Sequence, residues 1–229
     1  QILQKAHLTT SVLKRYQKSG IQSVAVVLLH GVLCPEEENR IAQKVCEAGF
    51  FNVSVGHQMS PSIGFLKRLT TTIADAALSP LLPRQKGLYM CTDGGLAQQD
   101  SSEWTGVKSV LSGPAGGAVA VSQICSRLGI SKAFGFDMGG TSSDLTHIRD
   151  NEISRIDGIA IDGIKLQTPS IEIKTVAAGG GSILGQQEGM FRVGPQSVGS
   201  NPGPVCYGRE SEHLSMTDAE AVLGRLVNF

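Results

Sequence analysis

Apolar and polar positions along the chain fall into two rhythms. Leu8 to Gln17, in the order Leu-Thr-Thr-Ser-Val-Leu-Lys-Arg-Tyr-Gln, predicts a helix closed by Ser19-Gly20. Ser23 to Leu29 is continuously apolar and Val-rich, the pattern of a central strand covered on both faces, and His30-Gly31 ends it. Pro35 then opens a helix, with Glu36, Glu37 and Glu38 near the positive end of its dipole and Ile41, Val45 and Cys46 on one face. Phe51 to Val55 predicts a second short strand, so the first part reads as β-α-β in an α/β layer.

Met59 to Leu82 predicts a helix signalled by Ser60-Pro61, with Leu69, Ile73, Ala76 and Ala77 as its buried stripe. Pro83 to Gly87 is a short polar link into a strand at Leu88 to Cys91; Asp93-Gly94-Gly95 is a turn and Ala97 to Gly106 a polar loop. Ser112-Gly113-Pro114-Ala115-Gly116-Gly117-Ala118 predicts a helix start, with Ser112 as cap and a body from Ala115 to Leu128. Its small residues suit either close packing against another backbone or close approach of a phosphate.

The stretch with the most chemistry is Phe134 to Ile148, Phe-Gly-Phe-Asp-Met-Gly-Gly-Thr-Ser-Ser-Asp-Leu-Thr-His-Ile. A strand ending at Phe136, a Gly-Gly pair at positive φ and a strand starting again at Leu145 predict a hairpin. Its tip carries Asp137, Thr141, Ser142, Ser143 and Asp144. Carboxylates that could hold hydrated Mg2+ thus flank amides and hydroxyls that could donate to phosphate oxygens, unless the hydroxyls simply wet a turn.

Beyond it, Glu152 to Ile156, Ile159 to Ile164, Ile171 to Val176 and Met190 to Val193 predict short strands. Ala177-Ala178-Gly179-Gly180-Gly181-Ser182 follows one of them, as a close approach of backbone to a ligand or as a bare turn. Val193 to Gly208 is a Gly/Pro-dense loop, and Thr217-Asp218 caps a helix from Ala219 to Leu226. Cys206 reads as a nucleophile or, like most isolated cysteines, as packed. His30 reads as a strand-end residue, Trp104 as a cover over a local patch, and the side taken by His147 depends on register.

At 229 residues the chain can bury a sizeable core. Lys plus Arg equals Asp plus Glu, 20 against 20, without a charge block, so neither a nucleic-acid footprint nor an anionic-membrane patch is present and small-molecule chemistry is favoured. Five scattered cysteines without a Cys-x-x-Cys pair predict reduced thiols and a cytoplasmic protein. The apolar runs are too short to span a bilayer and the start lacks signal-peptide order. Beginning at Gln1, the chain is expected to be a fragment of something larger.

Taken together, the motifs resemble those of the hydantoinase A and 5-oxoprolinase family. They run Val24 to His30, Thr92 to Leu96, Leu111 to Gly117, Phe136 to Asp144, Thr175 to Ser182, Val193 to Pro195, Asn201 to Gly208 and Thr217 to Ala219. The wording leans toward the oxoprolinase side. The resemblance implies a partial actin-like (ribonuclease H-like) ATPase fold, α/β with mixed sheets and flanking helices, with residues 1–110 in a first lobe and 111–229 in a second. It implies ATP-dependent opening of a small cyclic amide, 5-oxoproline to glutamate or a hydantoin to a carbamoyl amino acid, by phosphorylation of the amide oxygen. Asp137 and Asp144 would be catalytic and serve Mg2+. Gly139, Gly140, Thr141 and Ser142 would cradle phosphate, with Gly179, Gly180 and Gly181 near the nucleotide and Ser112, Gly113 and Gly116 lining a cleft. A hydantoinase B-type subunit or fused domain is the implied partner, and a homo-oligomer stays open.

The chain departs from the family pattern in places. A first acidic Gly-Gly-Thr hairpin near the N-terminus is missing, and the segment at Pro83 to Gly87 is short. Ser143 replaces the usual Thr, Lys174 a His or Asn, and Glu220 an Asn. A non-catalytic nucleotide-binding or scaffold module, and an ATP-dependent ketone carboxylase subunit that phosphorylates an enolate oxygen, are therefore carried as alternatives.

Overall fold

In this computed structural model the described residues are 8–82, 87–98, 101, 104–161 and 163–226, so the polar link from Pro83 lies outside them except for Gly87. The chain runs through α1 (Thr10–Lys18), β1 (Ser23–Val26), α2 (Pro35–Glu47), β2 (Asn52–Val55), α3 (Gly56–Met59) and α4 (Phe65–Leu78). β3 (Leu88–Met90), β4 (Leu96–Gln98) and α5 (Ser112–Leu128) lead to a long hairpin, β5 (Lys132–Met138) and β6 (Ser143–Arg149). Short strands follow: β7 (Glu152–Ile153), β8 (Arg155–Ile156), β9 (Ile159–Ile161), β10 (Ile164–Leu166), β11 (Ser170–Ile171) and β12 (Ile173–Val176). β13 (Ser182–Gln187), β14 (Met190–Ser197) and α6 (Met216–Val222) complete the order. Two compact units result, one of residues 1–116 and 155–171, the other of 117–154 and 172–229.

In the first unit, Thr9 caps α1 by accepting from the Val12 N–H, and Gly20 leaves the helix at φ +89°. Pro35 starts α2 with three glutamates in its first turn. β1 and β2 pair in parallel from Ser23 with Asn52 to Val26 with Val55. Leu13, Val26, Ile41, Val45, Ala48 and Phe50 form the core beneath them. β1 ends at Val26, three residues short of the predicted strand.

The long helix predicted from Met59 is corrected. It is one turn, α3, then a break through Gly64, then α4. The buried side of α4 is mostly polar: Arg68, Thr71, Thr72 and Asp75 are buried, and of the predicted stripe only Ala76 is, while Ile73 is 51 % exposed. Leu69, Ile73, Ala76 and Ala77 instead line an apolar cavity of about 480 Å3 with residues of α1, α2 and β1. Hydrogen bonds explain the inversion. Asp75 accepts from Ser54 Oγ (2.6 Å) and the Val107 N–H (3.0 Å), and Thr71 Oγ1 accepts from the Gln167 N–H (2.8 Å). Thr92 closes the same unit, accepting the Ile171 N–H (2.8 Å) at its carbonyl and donating its hydroxyl to Pro169 (2.8 Å). These bonds bring residues 155–171 back to the first unit.

The loop predicted from Ala97 is corrected at its start: Leu96 to Gln98 is the second strand of a hairpin whose turn is held by Asp93 accepting from the Gly95 N–H (2.9 Å). Trp104 stacks on Tyr89 with ring centroids 4.9 Å apart. No helix among the described residues is long and apolar enough to cross a membrane.

The second unit is built on a sheet in the order β12-β6-β5, antiparallel throughout, with β7 also pairing with β6. Helix α5 lies along one face. A Cβ at Gly135 would stand 3.3 Å from Val121 Cγ2, and one at Gly117 would stand 3.8 Å from Asp137 Oδ2. The register puts Gly135, Asp137, Asp144, Thr146, Ile148 and Thr175 on that face. His147 pairs with Phe134 on the opposite face and stacks on it at 5.1 Å. That face leaves Phe134 74 % and Phe136 65 % exposed.

β13 and β14 form a further hairpin, and the first of these strands is not among the predicted ones. Helix α6 starts at Met216, and its cap is Ser215 rather than Thr217-Asp218, with Asp218 completing a capping box from the third helical position. It ends at Val222 rather than Leu226.

Candidate functional site

Asp137 and Asp144 stand directly opposite each other at the end of the β5–β6 ladder, followed only by Met138 with Ser143. Asp137 is exposed and Asp144 half-buried. The Thr175 hydroxyl donates to Asp144 Oδ1 at 2.6 Å from the next strand. Two carboxylates on one face, beside a tip of small and hydroxyl residues, leave most of a cation's coordination to water and phosphate, as Mg2+ sites usually do. Among the described residues no group of three or more His, Cys, Asp or Glu could hold a metal. Asp137 and Asp144 could hold a Mg2+ ion that takes its remaining ligands from water and phosphate.

The tip differs from the predicted turn. Neither Gly139 nor Gly140 takes a positive φ. The turn is centred on Gly140 and Thr141 instead of the Gly-Gly pair, with the Gly139 N–H donating to the Ser142 carbonyl (2.9 Å), and is held from outside. The Gly180 N–H donates to Gly139 O (2.9 Å) and the Gly181 N–H to Gly140 O (2.6 Å). A Cβ at Gly179 would lie 2.7 Å from the carbonyl carbon and oxygen of Gly140, closer than real Cβ atoms come. The three glycines thus permit a close backbone approach, here to the hairpin tip. The N–H groups of Gly140, Thr141 and Ser142 bond to no described residue and can donate to an anion.

The brace is itself braced. Thr217 donates both its N–H (2.7 Å) and its hydroxyl (2.8 Å) to the Gly180 carbonyl, and Ser143 Oγ donates to Ala178 O (2.6 Å). Sequence reasoning had not given Thr175, Ser143 and Thr217 these roles, although each lies within a motif. What it lacked was the register of β12 on β6 and the contact between residues 180 and 217, far apart in the chain. Ser112, Gly113 and Gly116 occupy the first turns of α5; no atom crowds Gly113, and the nearest to Gly116 is Met90 Cγ at 4.0 Å.

Asp218 anchors the loop that follows. Burial pushes its carboxyl upward, but donation from the Cys206 N–H (2.7 Å) and from the Ser215 hydroxyl and N–H (2.8 and 2.7 Å) outweighs it and holds the pKa down to about 2. Burial first and the Asp218 carboxylate second push the Cys206 thiol above its usual range. That favours the packed thiol over the nucleophile read as an alternative.

An α/β chain whose glycine-braced hairpin tip offers free amides, hydroxyls and paired carboxylates belongs with the ATPase-fold proteins. A nucleotide-free acetone carboxylase structure superposes with a TM-score of 0.72 over 95 % of this chain and 33 % of that one, at 23 % identity. The crystal structure of the ATP-dependent caprolactamase from Pseudomonas jessenii matches with a TM-score of 0.69 over 96 % and 34 %, at 31 % identity. In sequence, the chain is 40 % identical to 5-oxoprolinase of Saccharomyces cerevisiae over 95 % of its own length. A family model described as Hydantoinase/oxoprolinase matches residues 68–228, and the chain belongs to that family. It spans 18 % of the yeast relative's length.

Proposed function

We propose that this chain is part of an ATP-dependent hydrolase that opens a small cyclic amide, with 5-oxoproline the first substrate to test. The observation that carries the reading is the hairpin tip: Asp137 facing Asp144, with the unbonded amides of Gly140, Thr141 and Ser142 beside them. Its relatives include proteins named 5-oxoprolinase and, at 32 % identity, caprolactamase subunit alpha, both named for opening a cyclic amide.

The chemistry explains the nucleotide. An unactivated lactam carbonyl is a poor electrophile. With a phosphoryl group on its oxygen the carbon accepts water, the C–N bond of the adduct breaks to free the ring nitrogen as an amine and leave an acyl phosphate, and a second water releases the carboxylate and inorganic phosphate. In this reading Gly140, Thr141 and Ser142 orient phosphate oxygens through their N–H groups, and the Thr141 and Ser142 hydroxyls add donors. Asp137 and Asp144 hold Mg2+, which when bound neutralises phosphate charge. Thr175 fixes the Asp144 carboxylate, and Gly179 to Gly181 keep the tip rigid. The alpha subunit among the relatives favours a second subunit or fused domain as partner. A cytoplasmic location is the reading for five scattered cysteines without a Cys-x-x-Cys pair.

The test is release of ADP and ring-opened product by the longer protein that carries this chain, assayed with 5-oxoproline, a hydantoin and acetone in parallel. Product from a cyclic amide alone supports the reading. Turnover with acetone and bicarbonate alone replaces it with the carboxylase alternative, and nucleotide binding without turnover replaces it with the scaffold alternative.

A further inference from the structure

The first unit holds a second cluster of polar side chains that the reading above does not use. Glu38, on the first turns of α2, is completely buried. Its Oε1 accepts the Leu28 N–H at 2.7 Å, just beyond β1. Its Oε2 accepts the backbone N–H of His57 at 2.8 Å and meets His57 Nδ1 at 2.8 Å. Space for the carboxylate is reserved by glycines: a Cβ at Gly31 would overlap it, and one at Gly56 would lie 2.9 Å from Oε1.

The tautomer follows from these contacts. Oε2 already accepts one N–H, so it presents a lone pair to the ring, and Nδ1 carries the proton. In the neutral ring Nε2 bears the free lone pair, and it makes no hydrogen bond to a described residue. The His57 side chain is 17 % exposed, and its ring is held at the Nδ1 edge.

Two features separate this cluster from an ordinary satisfied core. Arg68, 1 % exposed, donates to the Leu28 and Leu29 carbonyls (2.6 and 2.9 Å), so its cation and the Glu38 carboxyl meet across the Leu28 residue. Ser60 Oγ, three residues beyond His57 and fully buried, has no hydrogen-bond partner among the described residues, and neither has Arg68 Nε. Unpaired buried polar atoms are costly in a merely structural core and often mark a place where a small polar molecule sits.

We propose that His57, oriented by Glu38, is a proton-accepting site whose substrate is water adding to an activated acyl carbon. Nε2 takes one proton of the water as the water's oxygen forms its bond to carbon. The bond from carbon to the leaving group then breaks, and the imidazolium returns the proton to that group. His57 is the accepting residue and Glu38 a positioning residue. Only the choice of an acyl centre rests on the function proposed above; the proton-accepting pair does not.

The test uses the 229-residue chain and p-nitrophenyl acetate as an activated acyl probe. His57→Gln is expected to lower the second-order rate of hydrolysis by about tenfold or more, while His30→Gln and His213→Gln leave it close to wild type. Glu38→Gln is expected to lower it as well, with unchanged circular dichroism. In the wild type, nitrogen-15 spectra of the imidazole should show Nδ1 protonated and Nε2 bare; this readout needs no variant and so survives one that fails to fold. A wild-type rate in His57→Gln, or a ring protonated at Nε2, overturns the proposal. Absence of ATP-driven lactam opening in the longer protein overturns the proposed function instead and leaves the ester result to decide His57.

Discussion

The Gly181 N–H donates to the Gly140 carbonyl at 2.6 Å, so the tip of one hairpin is fixed by the backbone of a loop forty residues further along the chain. Glycine is needed on the bracing side and not on the braced one. At Gly179 a Cβ would lie 2.7 Å from Gly140 backbone atoms, whereas at Gly140 it would meet nothing within 4 Å, and Gly140 has no positive φ. Gly179→Ala is therefore expected to cost about 1–3 kcal/mol, and Gly140→Ala within about 0.5 kcal/mol, in urea unfolding. Equal effects at the two positions would contradict the bracing role.

Thr175 acts on the site through Asp144. Thr175→Val keeps the shape and removes the hydroxyl that donates to Asp144 Oδ1. A loss of about 1 kcal/mol or less in stability is expected, with a larger proportional loss in Mg-ATP affinity measured by calorimetry. An unchanged affinity would remove Thr175 from the account.

Asp218 gives the chain an acid-sensitive joint. Its carboxyl is depressed to about 2, so its contribution is fully present above the ordinary value near 3.8 and is lost as pH falls through about 2. The contribution at neutral pH is about 2 kcal/mol. Stability measured between pH 4 and pH 2 should fall more steeply in the wild type than in Asp218→Asn, which should be less stable at pH 7. Parallel curves would show that the three donors do not hold the charge.

Arg68 should matter more than any apolar residue of the predicted α4 stripe. Its guanidinium donates to the carbonyls of Leu28, Leu29 and Ser62 from a fully buried position. Arg68→Ala is expected to cost about 3 kcal/mol or more, and Ile73→Ala, at a half-exposed position, about 1 kcal/mol. The reverse order in thermal or urea unfolding would restore the apolar stripe.

That contrast also shows where the sequence was legible. Local signals gave α1, α2, α5, the β1–β2 pair and the β5–β6 hairpin, because a cap at α1, a proline at the first turn of α2 and a Val-rich run act over a few positions; at α5 the predicted cap Ser112 is itself the first helical residue. The facing of Asp137 and Asp144 was not legible: a two-residue turn on Gly139-Gly140 would set Asp137 opposite Ser142, whereas the observed register is centred on Gly140 and Thr141. The buried face of α4 was not legible, since hydrophobic periodicity counts Arg68, Thr71 and Asp75 as surface until their distant partners are known. The same holds for the Gly139-Gly140 tip. Its glycines suggested a turn centred on themselves at positive φ, and the contact with Gly180 and Gly181 is what holds one centred on Gly140 and Thr141 without it. Cap assignment failed at α6 because Ser215 and Asp218 work as a pair, and the second of them looked like the cap.

The central claim is that the β5–β6 tip holds the phosphates of Mg-ATP. Its most direct test is calorimetric titration of Mg-ATP into this chain, wild type beside Asp137→Ala, with circular dichroism to confirm that the exposed substitution leaves the fold intact. The account predicts saturable binding by the wild type and a loss of about tenfold or more in the variant. Equal binding by both, or none by the wild type, would contradict it.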